Sequence, residues 1–368
     1  MSTNLEVGIL GLPNVGKTTL FNALTKAGVA VSNYVSNAIE PNMGVVEVPD
    51  PRLLKLAEMY KPKKITPTKM QFVDIAGLGK GASKGAGLGN RFLSHIRQVD
   101  AVIQVVRCFT DEESMYIEGE LNPLADIEIL NTELCLADLD SLEKRQERLQ
   151  KVLKGGDKKA QAELDLLIRL KAALEEIKPA RQVIQSEEEA ALVRELNLLT
   201  LKPILYVANI NENDAADPES SKYVQMVRQY AAQDGAEAIA ISAKIEAEIA
   251  ELSDEEARAF LDDMGIAESG LDKVIKASYK LLGLITFLTA GEPEVRAWTI
   301  KEGTRAQRAA GKIHSDIERG FIRCETVAYN DLIASGSFTA AKEKGLVRLE
   351  GKEYLMKDGD VVHFRFNV

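Results

Sequence analysis

The sequence predicts an α/β fold: a mostly parallel sheet, an inserted antiparallel helical hairpin and a separate, smaller α+β unit at the C-terminus. Three observations predict it. Near the N-terminus a glycine-rich loop, "GLPNVGKT", stands between an apolar strand, "LEVGIL", and an amphipathic helix, "TTLFNALTKA". Near-continuous apolar runs follow at "DAVIQVVRC", "PILYVAN" and "AEAIAISAK", as buried parallel strands between helices require. Between the first and second of these runs lies a long stretch of apolar residues at three-to-four spacing, the period of helices packed on one another.

The bulk properties set limits. A length of 368 residues allows two or three domains with ample core, and 45% hydrophobic with 28% charged residues is a globular composition. No apolar run approaches the ~18 residues of a membrane span, and "MSTNLEVGIL" passes straight into a strand without a basic leader. A cytoplasmic protein without a membrane partner is expected. Cys108, Cys135 and Cys324 are far apart and lack metal spacing, so they are expected to be reduced, buried thiols. With His95, His314 and His363 the only histidines, a His-based metal site is not expected. The net charge of −10 means that any nucleic-acid contact must come from a local basic patch.

Gly11 to Thr18 fits the pattern G-x-x-x-x-G-K-[ST] without a mismatch, in the strand-then-helix context the pattern needs. It predicts a P-loop NTPase. Backbone N–H groups of the run Asn14, Val15, Gly16, Lys17, Thr18 and Thr19 would close around phosphates at a helix N-terminus. Lys17 would bridge the β- and γ-phosphates, and Thr18 would ligate Mg²⁺. In "MQFVDIAG", Asp74 ends an apolar strand three residues before Gly77. Asp74 can hold Mg²⁺ through water, and the Gly77 N–H can sense the γ-phosphate. Lys17, Thr18, Asp74 and Gly77 are therefore the expected catalytic set. Leu78 stands where many GTPases place a water-orienting Gln, so turnover is expected to be slow or to need a partner. The glycines at 77, 79, 81, 85, 87 and 89 read as a switch that orders on nucleotide binding, the alternative being a loose surface loop.

The base reader departs from the guanine pattern. Where Asn-Lys-x-Asp is expected, the chain has Asn209-Ile210-Asn211-Glu212. Ile210 offers no cation, and Glu212 is one methylene too long for the paired contact to guanine. Ser242, Ala243 and Lys244 fall at a strand end, where a GTPase packs a loop against the base. Mismatched polar readers cost about 1–3 kcal/mol each, so ATP over GTP by about one order of magnitude is expected.

Several longer blocks carry a resemblance: "GLPNVGKTTLFNALT", "IEPNMGVVEVPDPRL", "DIAGLGKGASKGAGLGNRFLSHIRQVDA", "VVRCF", "NINE" and the ending "GDVVHFRFNV". With them the chain resembles the Obg-like ATPase (YchF) family over nearly its whole length. The resemblance implies a GTPase-like fold that prefers ATP, an association with the ribosome and its large subunit in translation control or stress response, and a C-terminal TGS domain. It makes the Ile210 carbonyl the acceptor for the adenine 6-amino group. It also makes Asn14 the residue beside a candidate second cofactor, K⁺. Two departures stand out. The family's first-switch Thr is replaced by Ala38, which cannot ligate Mg²⁺; Ser36 is the nearest substitute. The family's His before the segment matching "IEGELNP" is replaced by Tyr116.

From Asp126 to about Leu153 the chain reads as one helix, with Ile127, Leu130, Leu134, Leu142, Leu149 and Val152 in phase. Gly155–Asp157 breaks it. A second helix runs to Ile177, with Leu164, Leu167, Leu170, Leu174 and Ile177 on one face. "SEEE" at Ser186 reads as a capping box for a short helix. The hairpin tip carries Arg145, Arg148, Lys151, Lys154, Lys158 and Lys159, read either as a solvated face or as a contact for rRNA phosphates. No aromatic residue is interleaved, so base stacking there is not expected.

From Gly283 onward there are 13 Lys+Arg and 12 Asp+Glu, a net of +1 against −10 for the whole chain. "LITFLTAGEPEVRAWTI" reads as two strands around a turn and "TRAQRAAGKI" as a helix capped by Thr304, within a β-grasp-like (TGS) fold. The expected division is 1–282 for the NTPase domain, 124–200 for the inserted hairpin and 283–368 for the TGS domain. Three functional readings stand: a slowly hydrolysing ATPase switch on the ribosome, an Obg-type GTPase with a degenerate reader, and a nearly inactive ribosome- or RNA-binding adaptor.

Overall fold

The protein is described by a computed structural model covering residues 5–26, 41–75, 88–110, 121–152 and 158–367. Its chain divides into two compact units. One holds Leu5–Val46 with Gln71–Val274; the other joins Glu47–Met70 to Ile275–Val368. No described helix is long and apolar enough to cross a membrane.

The first unit is built on a six-stranded sheet. In chain order the strands up to residue 241 are β1 (Glu6–Leu10), β2 (Asn42–Glu47), β3 (Ile65–Thr66), β4 (Lys69–Asp74), β5 (Ala101–Arg107), β6 (Ile204–Asn209) and β7 (Glu237–Ile241). The sheet order is β2-β4-β1-β5-β6-β7, and β3 belongs elsewhere. β1 runs parallel to β4 and β5, β5 to β6, and β6 to β7. Every residue of β5 and β6 is buried, which is why both read as unbroken apolar runs rather than alternating ones. Because these five strands are parallel, their C-terminal ends gather at one edge, where ligands bind in such sheets.

The hairpin rises from this unit as helices Pro123–Val152 and Lys158–Glu175. Its seam is Cys135, Leu142, Leu149, Ala160, Leu166, Leu167, Leu170 and Leu174. Leu166 takes the place in the seam expected of Leu164. Ile177 lies past the helix end with φ 59° and is exposed, so it does not continue the stripe. The root is held by buried carboxylates. Asp138 is fully buried and accepts from Leu199 N and Thr200 N at 2.8 Å and from the Thr200 hydroxyl at 2.7 Å. Burial pushes its carboxyl upward, and the Thr200 and Leu199 donors pull it back. Asp234 accepts from Arg181 Nε at 3.0 Å and from the Tyr206 hydroxyl at 2.8 Å. Ser186 accepts from Glu189 N at 3.2 Å, but Glu189 returns its carboxylate to Gln185 N rather than to Ser186, so the expected capping box is half made. A complete one, Ser253 with Glu256, opens the helix Asp254–Asp263.

The second unit is β-grasp-like. β8 (Leu284–Ala290) and β9 (Val295–Lys301) form an antiparallel hairpin, and β10 (Phe321–Ala328), β11 (Arg348–Glu350) and β12 (Asp360–Phe366) follow. The sheet order is β11-β10-β12-β8-β9-β3. Neighbouring residues point to opposite faces: Phe287, Ile300, Val362 and Phe364 pack on the helix Ala306–Ile313, while Leu288, Val295 and Val361 pack on Leu53 and Leu56. Leu53 and Leu56 come from the helix Pro51–Tyr60, which Asp50 caps through Arg52 N at 3.0 Å. Thr66 donates to Glu294 at 2.6 Å, and Arg52 reaches Asp358 at 2.7 Å. Residues 47–70 therefore pack with the C-terminal unit, although they fall inside the segment 1–282 read from the sequence as one domain. The Thr304 hydroxyl donates to Lys301 O at 2.6 Å and does not cap; Arg305 occupies the cap position without a side-chain bond. Trp298 stacks on Phe287 at 6.1 Å under the Arg296 guanidinium and donates to Thr289 at 3.0 Å.

Candidate nucleotide site

The glycine-rich loop leaves β1 and turns into the helix Lys17–Lys26. Two residues in it take left-handed backbone, Asn14 at φ 63° and Gly16 at φ 88°. At Gly16 a side chain is doubly barred, because an added Cβ would also overlap the Asn209 side-chain amide. Gly11 is barred by space alone: its Cβ would meet the Val105 carbonyl oxygen at 3.1 Å. Val15 is buried, and Thr18 and Thr19 are exposed at the start of the helix.

Lys17 and Asp74 form a buried ion pair. The register explains the meeting: Asp74 lies opposite Ile9 on the adjacent strand, at the end of β4, where the loop departs from β1. The pairing brings together two residues that the sequence assigned to one phosphate-and-metal site. Gly77, Leu78, Ala38, Ser36 and Tyr116 lie outside the described residues. Among the described residues, no group of three or more His, Cys, Asp or Glu is placed to hold a metal ion. The oxygen donors on hand are the Thr18 hydroxyl and the Asp74 carboxylate, of the hard type that Mg²⁺ prefers.

Asn209 is the last residue of β6, and its buried side chain makes two bonds that join separate loops. Its Nδ2 donates to Val15 O at 2.9 Å, and its Oδ1 accepts from Ala243 N at 2.9 Å. One amide thus fixes the phosphate loop and the Ser242–Lys244 turn at a common distance. Ser242 caps the helix Ala243–Ile249 through Ile245 N. The Ile210 side chain is 3% exposed and packs in the apolar core, while its N–H donates to Ile241 O at 2.9 Å. Glu212 pairs with Lys244 across the two loops. The Lys244 ammonium lowers the Glu212 carboxyl below its usual range, and Glu212 raises Lys244 in return.

One supporting residue has no signal in the sequence. Glu246, buried one turn into the helix that Ser242 caps, accepts from Ser269 Oγ and Gly270 N at 2.7 Å each. It anchors the start of the helix Gly270–Leu281, and nothing in a lone Glu four residues after a Ser distinguishes it from a solvated charge.

A parallel-dominated sheet with a P-loop at the C-terminal end of β1, an acidic residue ending β4 and two further loops after β6 and β7 defines a nucleotide-binding protein of the P-loop GTPase type. Comparison with known proteins narrows this. Residues 6–160 match a family described as a 50S ribosome-binding GTPase, and residues 284–367 match the YchF-GTPase C-terminal family, described as of unknown function. The chain is 59% identical to the ribosome-binding ATPase YchF of Bacillus subtilis (strain 168) over 364 residues, covering 99% of this chain and 100% of that one. It is 53% identical to the ribosome-binding ATPase YchF of Escherichia coli O157:H7, with 99% of each chain covered. Among solved structures, the YchF GTPase of Schizosaccharomyces pombe superposes with a TM-score of 0.87 at 38% identity, covering 99% of this chain and 98% of that one. The chain belongs to the YchF family.

Proposed function

We propose that this chain is a cytoplasmic, ribosome-binding P-loop ATPase of low turnover. The observation that carries the reading is an asymmetry in the site. On the phosphate side Lys17 and Asp74 are in contact and Asn209 bonds the loop, whereas on the base side Ile210, at the place of the guanine reader's lysine, is turned into the core. The full-length likeness to proteins named ribosome-binding ATPases supports it.

In this reading the backbone N–H groups from Asn14 to Thr19 and the Lys17 ammonium bind the phosphates, and Thr18, with Asp74 through water, would hold Mg²⁺. When bound, the ion would supply neutralisation of phosphate charge. The adenine base lies between Asn209–Glu212 and Ser242–Lys244, its 6-amino group donating to the Ile210 carbonyl. Water oxygen bonds to the γ-phosphorus as the bond to the β–γ bridging oxygen breaks, giving ADP and inorganic phosphate. Lys17 stabilises the charge that moves onto the bridging oxygen. With Leu78 and Tyr116 at the places of a water-positioning Gln or His, this step is slow until a partner assists. Asn14, in left-handed backbone beside the phosphates, is where K⁺ would act as a second cation.

Titration of non-hydrolysable ATP and GTP analogues against the purified chain tests the reading. ATP is expected to bind about tenfold more tightly, the value of one mismatched polar reader. Tighter GTP binding would replace the ATPase with an Obg-type GTPase, the activity named for the S. pombe relative.

For the ribosome, the hairpin (124–200) and the TGS domain (283–368) are the proposed rRNA contacts. Arg145 is less available than the sequence suggests, since Glu163 holds it bidentately at 2.6 and 3.0 Å. Arg148 and Lys151 are exposed; Lys154 and the side chains of Lys158 and Lys159 lie outside the described residues. Arg148→Glu with Lys151→Glu is expected to weaken ribosome co-sedimentation and to flatten its salt dependence by about two phosphate contacts. Unchanged binding with an unchanged salt slope would return these residues to a solvated face.

A further inference from the structure

The geometry points to the Lys244–Glu212 ion pair as the base-selecting element of the nucleotide site, closing to guanine an edge that then accepts adenine. This deepens the reading of the site as an ATPase site and rests on it.

Both residues stand close to Asn209, one along the chain and one through its bond to Ala243. Lys244 follows Ala243, whose N–H donates to Asn209 Oδ1, and Glu212 opens a short 3₁₀ turn three residues beyond Asn209. The pair bridges the two loops between which the proposed reading places the base. Lys244 is 68% exposed and Glu212 37%, so neither is locked in the core. Ile210, where a guanine-reading chain carries its lysine, is closed off among apolar neighbours such as Val106, Tyr206 and Ala208. Here the cation comes from the opposite loop, and it lies on the carboxylate itself.

The chemistry of the two bases makes that placement selective. Guanine offers N1–H and a 2-amino group, two donors that need a free carboxylate. A carboxylate already engaged by an ammonium answers them poorly. Adenine offers a lone pair at N1 and no donor at position 2, so a bare carboxylate repels it and a neutralised one does not. The pair thus weakens guanine binding and relieves adenine binding at once. Because it is solvent-exposed, each effect is modest, about threefold. Glu248, which also faces Lys244, lies on the same helix and adds to its charge environment.

The test is the ratio of GTP to ATP dissociation constants, measured by calorimetry on the full chain with non-hydrolysable analogues and Mg²⁺. Lys244→Ala is expected to tighten GTP about threefold and weaken ATP about threefold, moving the ratio about tenfold toward GTP. Lys244→Arg, which keeps the cation, should hold the wild-type ratio. Adding Glu212→Ala to Lys244→Ala should abolish the gain in GTP, since the freed carboxylate is its source. Thermal unfolding of each variant separates lost binding from lost fold. A wild-type chain that prefers GTP overturns the ATPase reading. A wild-type chain that prefers ATP, with Lys244→Ala keeping that preference, overturns the inference alone and makes the pair a surface contact.

Discussion

Asn209→Ala is expected to weaken ATP and GTP binding alike, by about 10- to 100-fold, without changing the preference between them. The side chain is buried, and its amide satisfies two other groups, the Val15 carbonyl and the Ala243 N–H. Deleting it leaves both without their partner, at about 1–3 kcal/mol each. Part of that loss appears as stability. The rest appears as affinity, because the phosphate loop and the base-side turn lose their common anchor. Asn209→Asp keeps one acceptor and loses the donor to Val15 O, so it should fall between alanine and wild type. Calorimetric titration with both nucleotides, beside a thermal melt, checks the result. Lys17→Ala makes the contrast, losing a charge-assisted phosphate contact and leaving Asp74 buried without its ion-pair partner. If Asn209→Ala binds nucleotide as the wild type does, the clamp is dispensable.

The second large effect is expected in the C-terminal unit. Leu56→Ala should destabilise the C-terminal unit by about 2–5 kcal/mol, the usual cost of a buried leucine cavity. Leu56 is fully buried beneath the sheet face formed by Leu288, Val295 and Val361. The readout is available without labelling, because Trp298, the single tryptophan of the chain, lies in the same unit. Its fluorescence midpoint in denaturant should move to lower concentration. A fragment that begins at Ile275 lacks the helix that covers this face, and it is expected to unfold without a sharp transition. An unchanged midpoint for Leu56→Ala, or cooperative unfolding of the fragment, would show that the sheet face needs no cover from residues 47–70.

The features that could be read from sequence are those encoded over short distances. Gly11 to Thr18 announces itself because a phosphate loop needs its glycines and lysine at fixed spacing between a strand and a helix. β5, β6 and β7 show as apolar runs because both faces of a parallel sheet are covered. The hairpin shows through its spacing, although the phase differs: Leu166 is in the seam in place of Leu164, and a three-to-four period does not say which of two leucines two positions apart faces the partner helix. Ile210 was legible as the loss of a cation but not as a core residue, since a position just past a strand can turn either way. Asn209 was legible as a base-side residue. Its second bond, to a carbonyl 194 positions earlier, was not. The same limit hid the membership of residues 47–70, whose Leu53 and Leu56 pack on sheet residues beyond residue 284.

That membership also bears on how the protein is made. The helix Pro51–Tyr60 and strand β3 leave the ribosome long before their partners exist: Thr66 and Glu294, which bond at 2.6 Å, are 228 positions apart. At 5–20 residues per second the wait is between about 10 and 45 s. During that interval Leu53 and Leu56 have no sheet to cover, while the nucleotide-binding sheet can already close around them in sequence. The C-terminal unit therefore cannot be completed until its last strands are made, and a chain cut short by premature termination carries an uncovered apolar helix in its first sixty residues. Such a product is marked for aggregation or proteolysis by its N-terminal part, not by the end it lacks.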